Sequence, residues 1–159
     1  MDAQEPALAR LIDQVAVARE QRAPLDIRGG GTKRFYGESP AGAPLDMTPL
    51  SGITCYEPTE LVVTARAGTP LRDLEAALEE HGQCLPFEPP RFAPGGTVGG
   101  MVAAGLSGPS RASVGSVRDH VLGLVLLNGR GEILTFGGQV TKNVAGYDVS
   151  RTEIGRAHV

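Results

Sequence analysis

At 159 residues the chain has the size of one ordinary domain, and its 41% hydrophobic content is enough to pack a core rather than leave a disordered coil. The formal net charge is −3, Trp is absent and aromatics make up 4%; a nucleic-acid platform needs a basic balance and stacking rings, so the composition argues against that role. No run is long and apolar enough to cross a bilayer, and the start MDAQEPALARL lacks signal-peptide character, so a cytoplasmic chain is expected.

Glu5 to Gln21 reads as a helix, with Leu8, Leu11, Ile12 and Val15 at helical spacing and Pro6 in the first turn. Leu25 to Arg28 is a short strand that runs into a first glycine loop. Leu45 to Met47, Ile53 to Glu57 and Leu61 to Ala67 are further strands, the last two separated by the turn Glu57-Pro58-Thr59-Glu60. A second helix begins at Thr69 as N-cap with Pro70 at its first position; Leu71, Leu74, Ala77 and Leu78 share its apolar face, and Gly82 stops it. Asp73, Glu75, Glu79 and Glu80 form its solvated face rather than an acid–base pair, and His81 is read as a cation at the helix C-terminus.

Gln83 to Leu85 is expected to be a strand. The proline-rich Pro86–Pro94 cannot be regular helix or central strand. It leads into PGGTVGGMVAAGLSGPSR, within which Val98 to Leu106 has the small residues of a short, closely packed helix. Val121–Leu127 and Glu132–Phe136 are strands around the hairpin turn Asn128-Gly129-Arg130-Gly131. Asp119 is read as a turn or capping residue and His120 as incidental. Lys142, Asn143, Tyr147 and Asp148 form a polar group near the end. Cys55 and Cys84 are far apart and make no metal-type cluster with the histidines, so two free thiols is the ordinary reading and a disulfide the less favoured one.

The chemistry-bearing features are the two glycine loops, Arg28–Lys33 (RGGGTK) and Pro94–Arg111. Glycine lets a backbone approach a ligand closely, and N–H groups bared at a turn or helix N-terminus bind phosphate oxygens. Either loop alone is equally a turn signal. Neither is a Walker A motif, nor the G-x-G-x-x-G dinucleotide fingerprint. Together, each with a nearby cation, they point to one polyanionic ligand held at two places, and a dinucleotide diphosphate fits.

The motifs RGGGTK, EPTELVVTARAGTPLRDLEAALEEHGQCLPFEPP, GGTVGGMVAAGLSGPSR, GSVRDHVLGLVLLNGRGE and GGQVTKNVAGYDVSR, from about Asp26 to Arg151, carry a family likeness. The chain resembles the FAD-binding subunits of bacterial glycolate oxidases, within the vanillyl-alcohol-oxidase / p-cresol methylhydroxylase flavoprotein superfamily. The resemblance implies an α+β fold, a p-cresol methylhydroxylase-type FAD-binding domain of two α+β subdomains with FAD between them. Residues 1–67 would form the first, with the N-terminal helix, and 68–151 the second, incomplete at its C-terminus. The heptapeptide EIGRAHV is what a common sequencing-library adapter encodes, so 152–159 is expected to be a non-native tail, and this fragment alone inactive.

By the same resemblance, Arg28, Gly29, Gly30, Gly31 and Thr32 would lie against the pyrophosphate. Pro94, Gly95, Gly96, Thr97, Gly99, Gly100, Ser107 and Gly108 would contact pyrophosphate and ribityl, and Gly115 and Val117 would line the flavin or adenine region. Relatives with covalent FAD carry a His in the first loop; Thr32 stands after the glycines here, so non-covalent FAD is implied. The implied activity is oxidation of glycolate, a small 2-hydroxy acid, to glyoxylate with electrons passed through flavin. The implied partners are a larger flavin subunit and an iron–sulfur subunit, with peripheral attachment to the inner membrane only through that complex. No residue is singled out as substrate base, and no metal site is expected. The alternatives are a paralogous FAD-dependent 2-hydroxy-acid dehydrogenase, such as a D-lactate dehydrogenase, and a non-catalytic FAD-carrying or assembly subunit.

Overall fold

The structure, a computed structural model, describes residues 5–138 and 149–155. The polar group Lys142, Asn143, Tyr147 and Asp148 lies outside the described residues. Among the described residues, helices and three two-stranded sheets follow one another, an α+β arrangement as expected.

Helix α1 (Pro6–Gln21) starts with proline at its first turn and buries Leu8, Leu11, Val15 and Ala18 along one face. It ends at Arg22, which takes a left-handed conformation while Ala23 N–H closes back onto Ala18 O. Strands β1 (Leu25–Arg28) and β2 (Ala43–Asp46) pair in parallel, Leu25 opposite Ala43 through Arg28 opposite Asp46. The first glycine loop therefore leaves the C-terminal end of a strand held in register on one side.

Strands β3 (Ile53–Glu57) and β4 (Val62–Ala65) form an antiparallel pair around a 3₁₀ turn at Pro58–Glu60. β4 is shorter than the expected Leu61–Ala67: Leu61 is left-handed at the turn exit, and the pairing closes with Arg66 N–H bonded to Gly52 O just ahead of β3. Helix α2 spans Leu71–Glu79 and buries Leu71, Leu74 and Leu78. Its N-cap is Pro70, not Thr69. Thr69 is buried, and its hydroxyl accepts from Gly52 N–H and donates to Gly52 O, so it ties the β3 approach to the helix instead of capping. Gly82, at φ +65°, ends the helix as expected.

Gln83 to Leu85 is not a strand. The Gln83 side chain bridges Tyr56 Oη and Pro58 O at 2.8 Å each, which fixes the segment through its side chain rather than through a ladder. Helix α3 (Val98–Ala104) follows the proline-rich segment and stops at left-handed Gly105. Two single turns, α4 (Arg111–Val114) and α5 (Val117–His120), precede the antiparallel hairpin of β5 (Gly123–Leu127) and β6 (Ile133–Gly137). β5 begins two residues later than expected because Val121 N–H still bonds Val117 O at the end of α5. The hairpin turn is fixed by Asn128, whose Oδ1 accepts from the N–H groups of Arg130 and Glu132. A last turn, α6 (Val149–Thr152), follows.

The apolar face of α1 packs with Leu45 and Leu50 in one cluster; Leu127 of the hairpin leans on it. Leu71, Phe87, Met101 and Val117 form a second cluster, with Ile154 against it. Helix α3 lies on that second cluster, and its N-terminus points toward the glycine loops.

Candidate functional site

The two glycine loops meet backbone to backbone. A β-carbon at Gly30 would overlap the carbonyl oxygen of Gly95 and stand 2.6 Å from its carbonyl carbon. A β-carbon at Gly29 would overlap Thr97 Oγ1. Only glycine allows that approach, and Gly95 itself sits at φ +95°, where other residues are strained. Loops distant in sequence are thus the two walls of one small backbone surface.

The second loop is seated on the segment before α2. Thr97 pairs with Pro70 in an isolated bridge, Leu71 N–H donates to Gly96 O at 2.8 Å, and Val98 N–H donates to Thr69 O at 2.8 Å. Gly99 N–H donates to Ala67 O at 2.7 Å, and a side chain at Gly99 would press on Ala67. Thr97 Oγ1 caps α3 by accepting from Gly100 N–H at 3.1 Å. The first three N–H groups of α3 are therefore all taken by protein acceptors. A phosphate at this helix N-terminus would have to displace them, so Gly99 and Gly100 serve as a seat rather than as donors.

The bared donors lie just upstream. Among the described residues, the N–H groups of Gly29, Gly30, Gly31, Gly95, Gly96 and Thr97 donate to no protein acceptor. Backbone donors left unpaired on touching loops, with no carboxylate between them, fit the oxygens of a diphosphate. Thr32, half-buried, begins the turn that leads away, and Pro94 stands exposed at the mouth of the second loop.

The remaining predicted residues are held by contacts of their own. Ser107 is buried; its hydroxyl accepts from Val117 N–H at 3.0 Å and donates to Gly105 O at 3.3 Å. Val117 is fully buried in the second cluster, so its side chain supports the site from beneath. Gly108 lies against Glu88, where a β-carbon would overlap the Glu88 carbonyl oxygen. Gly115 separates α4 from the cap of α5. There Ser116 and Asp119 form a reciprocal capping box, as the reading of Asp119 expected.

Hydrogen bonds from Ser116, its backbone N–H first and its hydroxyl second, hold the Asp119 carboxyl below its usual range. The positive fields of His120 and Arg151 lower it further, against a desolvation that raises it. A carboxyl with a depressed folded pKa stabilises the fold above its unfolded value, and that contribution is lost as pH falls through the folded value. Acid-limb stability is therefore expected to be flatter in Asp119→Asn than in the parent chain. Thermal midpoints taken from neutral to strongly acid pH check this, and identical acid limbs contradict it.

The two cations of the first loop motif differ in their surroundings. Arg28, on β1, is paired with Asp26, two residues back on the same strand face and 7% exposed. The i, i+2 spacing on a strand is the signal that could have shown this. Lys33 is half-buried, and desolvation lowers its pKa.

Comparison with known proteins decides the family. The family described as "FAD binding domain" matches residues 8–137. The chain belongs to the FAD-binding-domain family. Its cofactor is FAD. The chain is 53% identical over 145 residues to glycolate oxidase subunit GlcE of Escherichia coli, covering 91% of this chain and 41% of that protein. It is 30% identical over 143 residues to glycolate oxidase subunit GlcD of Bacillus subtilis, covering 89% of this chain and 30% of that one. The mitochondrial D-lactate dehydrogenase [cytochrome] of Arabidopsis thaliana is 30% identical over 139 residues, covering 86% of this chain and 24% of the relative. The chain thus spans less than half the length of these relatives. No helix among the described residues is long and apolar enough to cross a membrane.

Proposed function

We propose that this chain is the FAD-holding part of a subunit in a complex that oxidises a small 2-hydroxy acid, glycolate, to glyoxylate. The observation that carries the reading is the contact of Gly30 with Gly95, with unpartnered N–H groups on both sides. The 53% likeness to a protein named as a glycolate oxidase subunit supports the substrate.

In this reading the N–H groups of Gly29–Gly31 and Gly95–Thr97 hold the diphosphate, with Arg28, Thr32 and Pro94 flanking them. Gly99 keeps that cradle tight against Ala67, Gly100 N–H holds the Thr97 hydroxyl, and Ser107, Gly108, Gly115 and Val117 brace the wall behind it. Residues 1–67 and 68–151 form the two subdomains that FAD lies between. When bound, FAD supplies the two-electron redox chemistry; the protein binds, orients and shields it. Neutralising a diphosphate through backbone N–H groups suits a chain of net charge −3. With Thr32 after the glycines and no histidine in the loop, the flavin is held without a covalent bond. The partners are a larger flavin subunit and an iron–sulfur subunit in the cytoplasm, attached peripherally to the inner membrane. A paralogous substrate is the second reading, favoured by the likeness to a D-lactate dehydrogenase.

The complete gene product, purified, should be yellow, and acid precipitation should release FAD into the supernatant. A colourless protein, or flavin that stays with the pellet, contradicts the proposal. In the assembled complex, glycolate should reduce an artificial acceptor faster than D-lactate does; the reverse order selects the second reading.

A further inference from the structure

We infer that Lys33 and Arg34, rather than Arg28, are the cations that balance the diphosphate at the glycine loops. The inference rests on the FAD reading above and assigns residues that it leaves open.

The motif RGGGTK offers Arg28 as the obvious phosphate partner, but the structure already occupies it. Its guanidinium Nε donates to Asp26, a carboxylate that β1 and its neighbours almost completely enclose. Releasing Arg28 to a ligand would leave Asp26 buried and unpaired, which costs more than a surface ion pair returns. Arg91, in the segment leading to the second loop, is likewise held by Glu75.

Lys33 and Arg34 are differently placed. They occupy the turn that follows the three glycines, closed by Tyr36 N–H bonding to Lys33 O at 2.9 Å. The Arg34 stem runs beside Gly31: its Cδ is 3.9 Å from where a Gly31 β-carbon would project. Among the described residues neither side chain has a carboxylate partner. Lys33 is half-buried in that state, and the loss of hydration disfavours its charged form. An anion arriving at the loop restores what hydration gave. Each phosphoryl group of a dinucleotide diphosphate carries a negative charge, while backbone N–H groups supply only partial charges. A guanidinium adds a planar pair of donors and an ammonium a compact charge.

The test uses the complete gene product, stripped of flavin and titrated with FAD at several salt concentrations. Lys33→Gln and Arg34→Gln should each weaken FAD binding by about tenfold. The double variant should also lose most of the salt dependence shown by the parent protein. Arg34→Lys should restore part of the affinity, which a folding defect would not allow. Parent-like affinity and salt dependence in the double variant, or parent binding that is flat with salt, overturns the inference while FAD binding itself stands. A parent protein that takes up no FAD overturns the underlying reading and this inference together.

Discussion

Replacing Gly30 with alanine is expected to strip the protein of its flavin. The added methyl would overlap the Gly95 carbonyl oxygen; the methyl's position is fixed by its own backbone and the carbonyl is backbone, so neither can rotate away. Overpacking a well-fitted contact costs about 1–3 kcal/mol when side chains can shift. Here the loops themselves must part, so the cost falls at or above the top of that range. Parting them also separates the two sets of bared N–H groups, so FAD affinity should drop by about a hundredfold or more, read by flavin fluorescence. Gly129→Ala is the control: it lies on the hairpin turn with nothing within 4 Å of the added carbon. It should change stability by less than about 0.5 kcal/mol. Equal FAD affinity in the two variants would show that the contact between the loops does not govern binding.

Met101→Ala should produce the second large effect, on stability. Met101 is 5% exposed and packs with Leu71, Phe87 and Val117 beneath α3. Truncating a buried residue of this size costs about 2–5 kcal/mol, from lost burial and the cavity left behind. The same helix carries Thr97 and Gly99 at its start, so loosening its underside also loosens the seat of the second loop. Denaturant unfolding of the complete gene product measures the change. A loss below about 1 kcal/mol would mean that the site collapses around the smaller side chain.

Local pattern made much of this fold legible. The spacing of Leu8, Leu11 and Val15 marks α1, the set Leu71, Leu74 and Leu78 marks α2, and Asn128-Gly129 marks the hairpin, because each depends on neighbours close in sequence. What escaped the sequence depends on distant partners. Thr69-Pro70 reads as a cap and first turn, yet the Thr69 hydroxyl is claimed by Gly52 across the sheet approach. The resemblance implies Ser107 as a ligand contact, but its hydroxyl is bonded to Val117 N–H and Gly105 O. Gln83–Leu85 joins no ladder among the described residues and is held instead by the Gln83 side chain on Tyr56 and Pro58. Both glycine loops were visible individually. Their mutual contact, and the loss of the α3 N-terminal donors to Ala67, Thr69 and Thr97, could be read only from the fold.

The account stands on one diphosphate lying against both loops at once. Hydrogen exchange resolved to single amides, on the complete gene product with and without FAD, tests that directly. FAD should slow exchange at Gly29–Gly31 and at Gly95–Thr97 together and leave the already bonded Gly99 and Gly100 little changed. Protection confined to one loop, or found at neither, would contradict it.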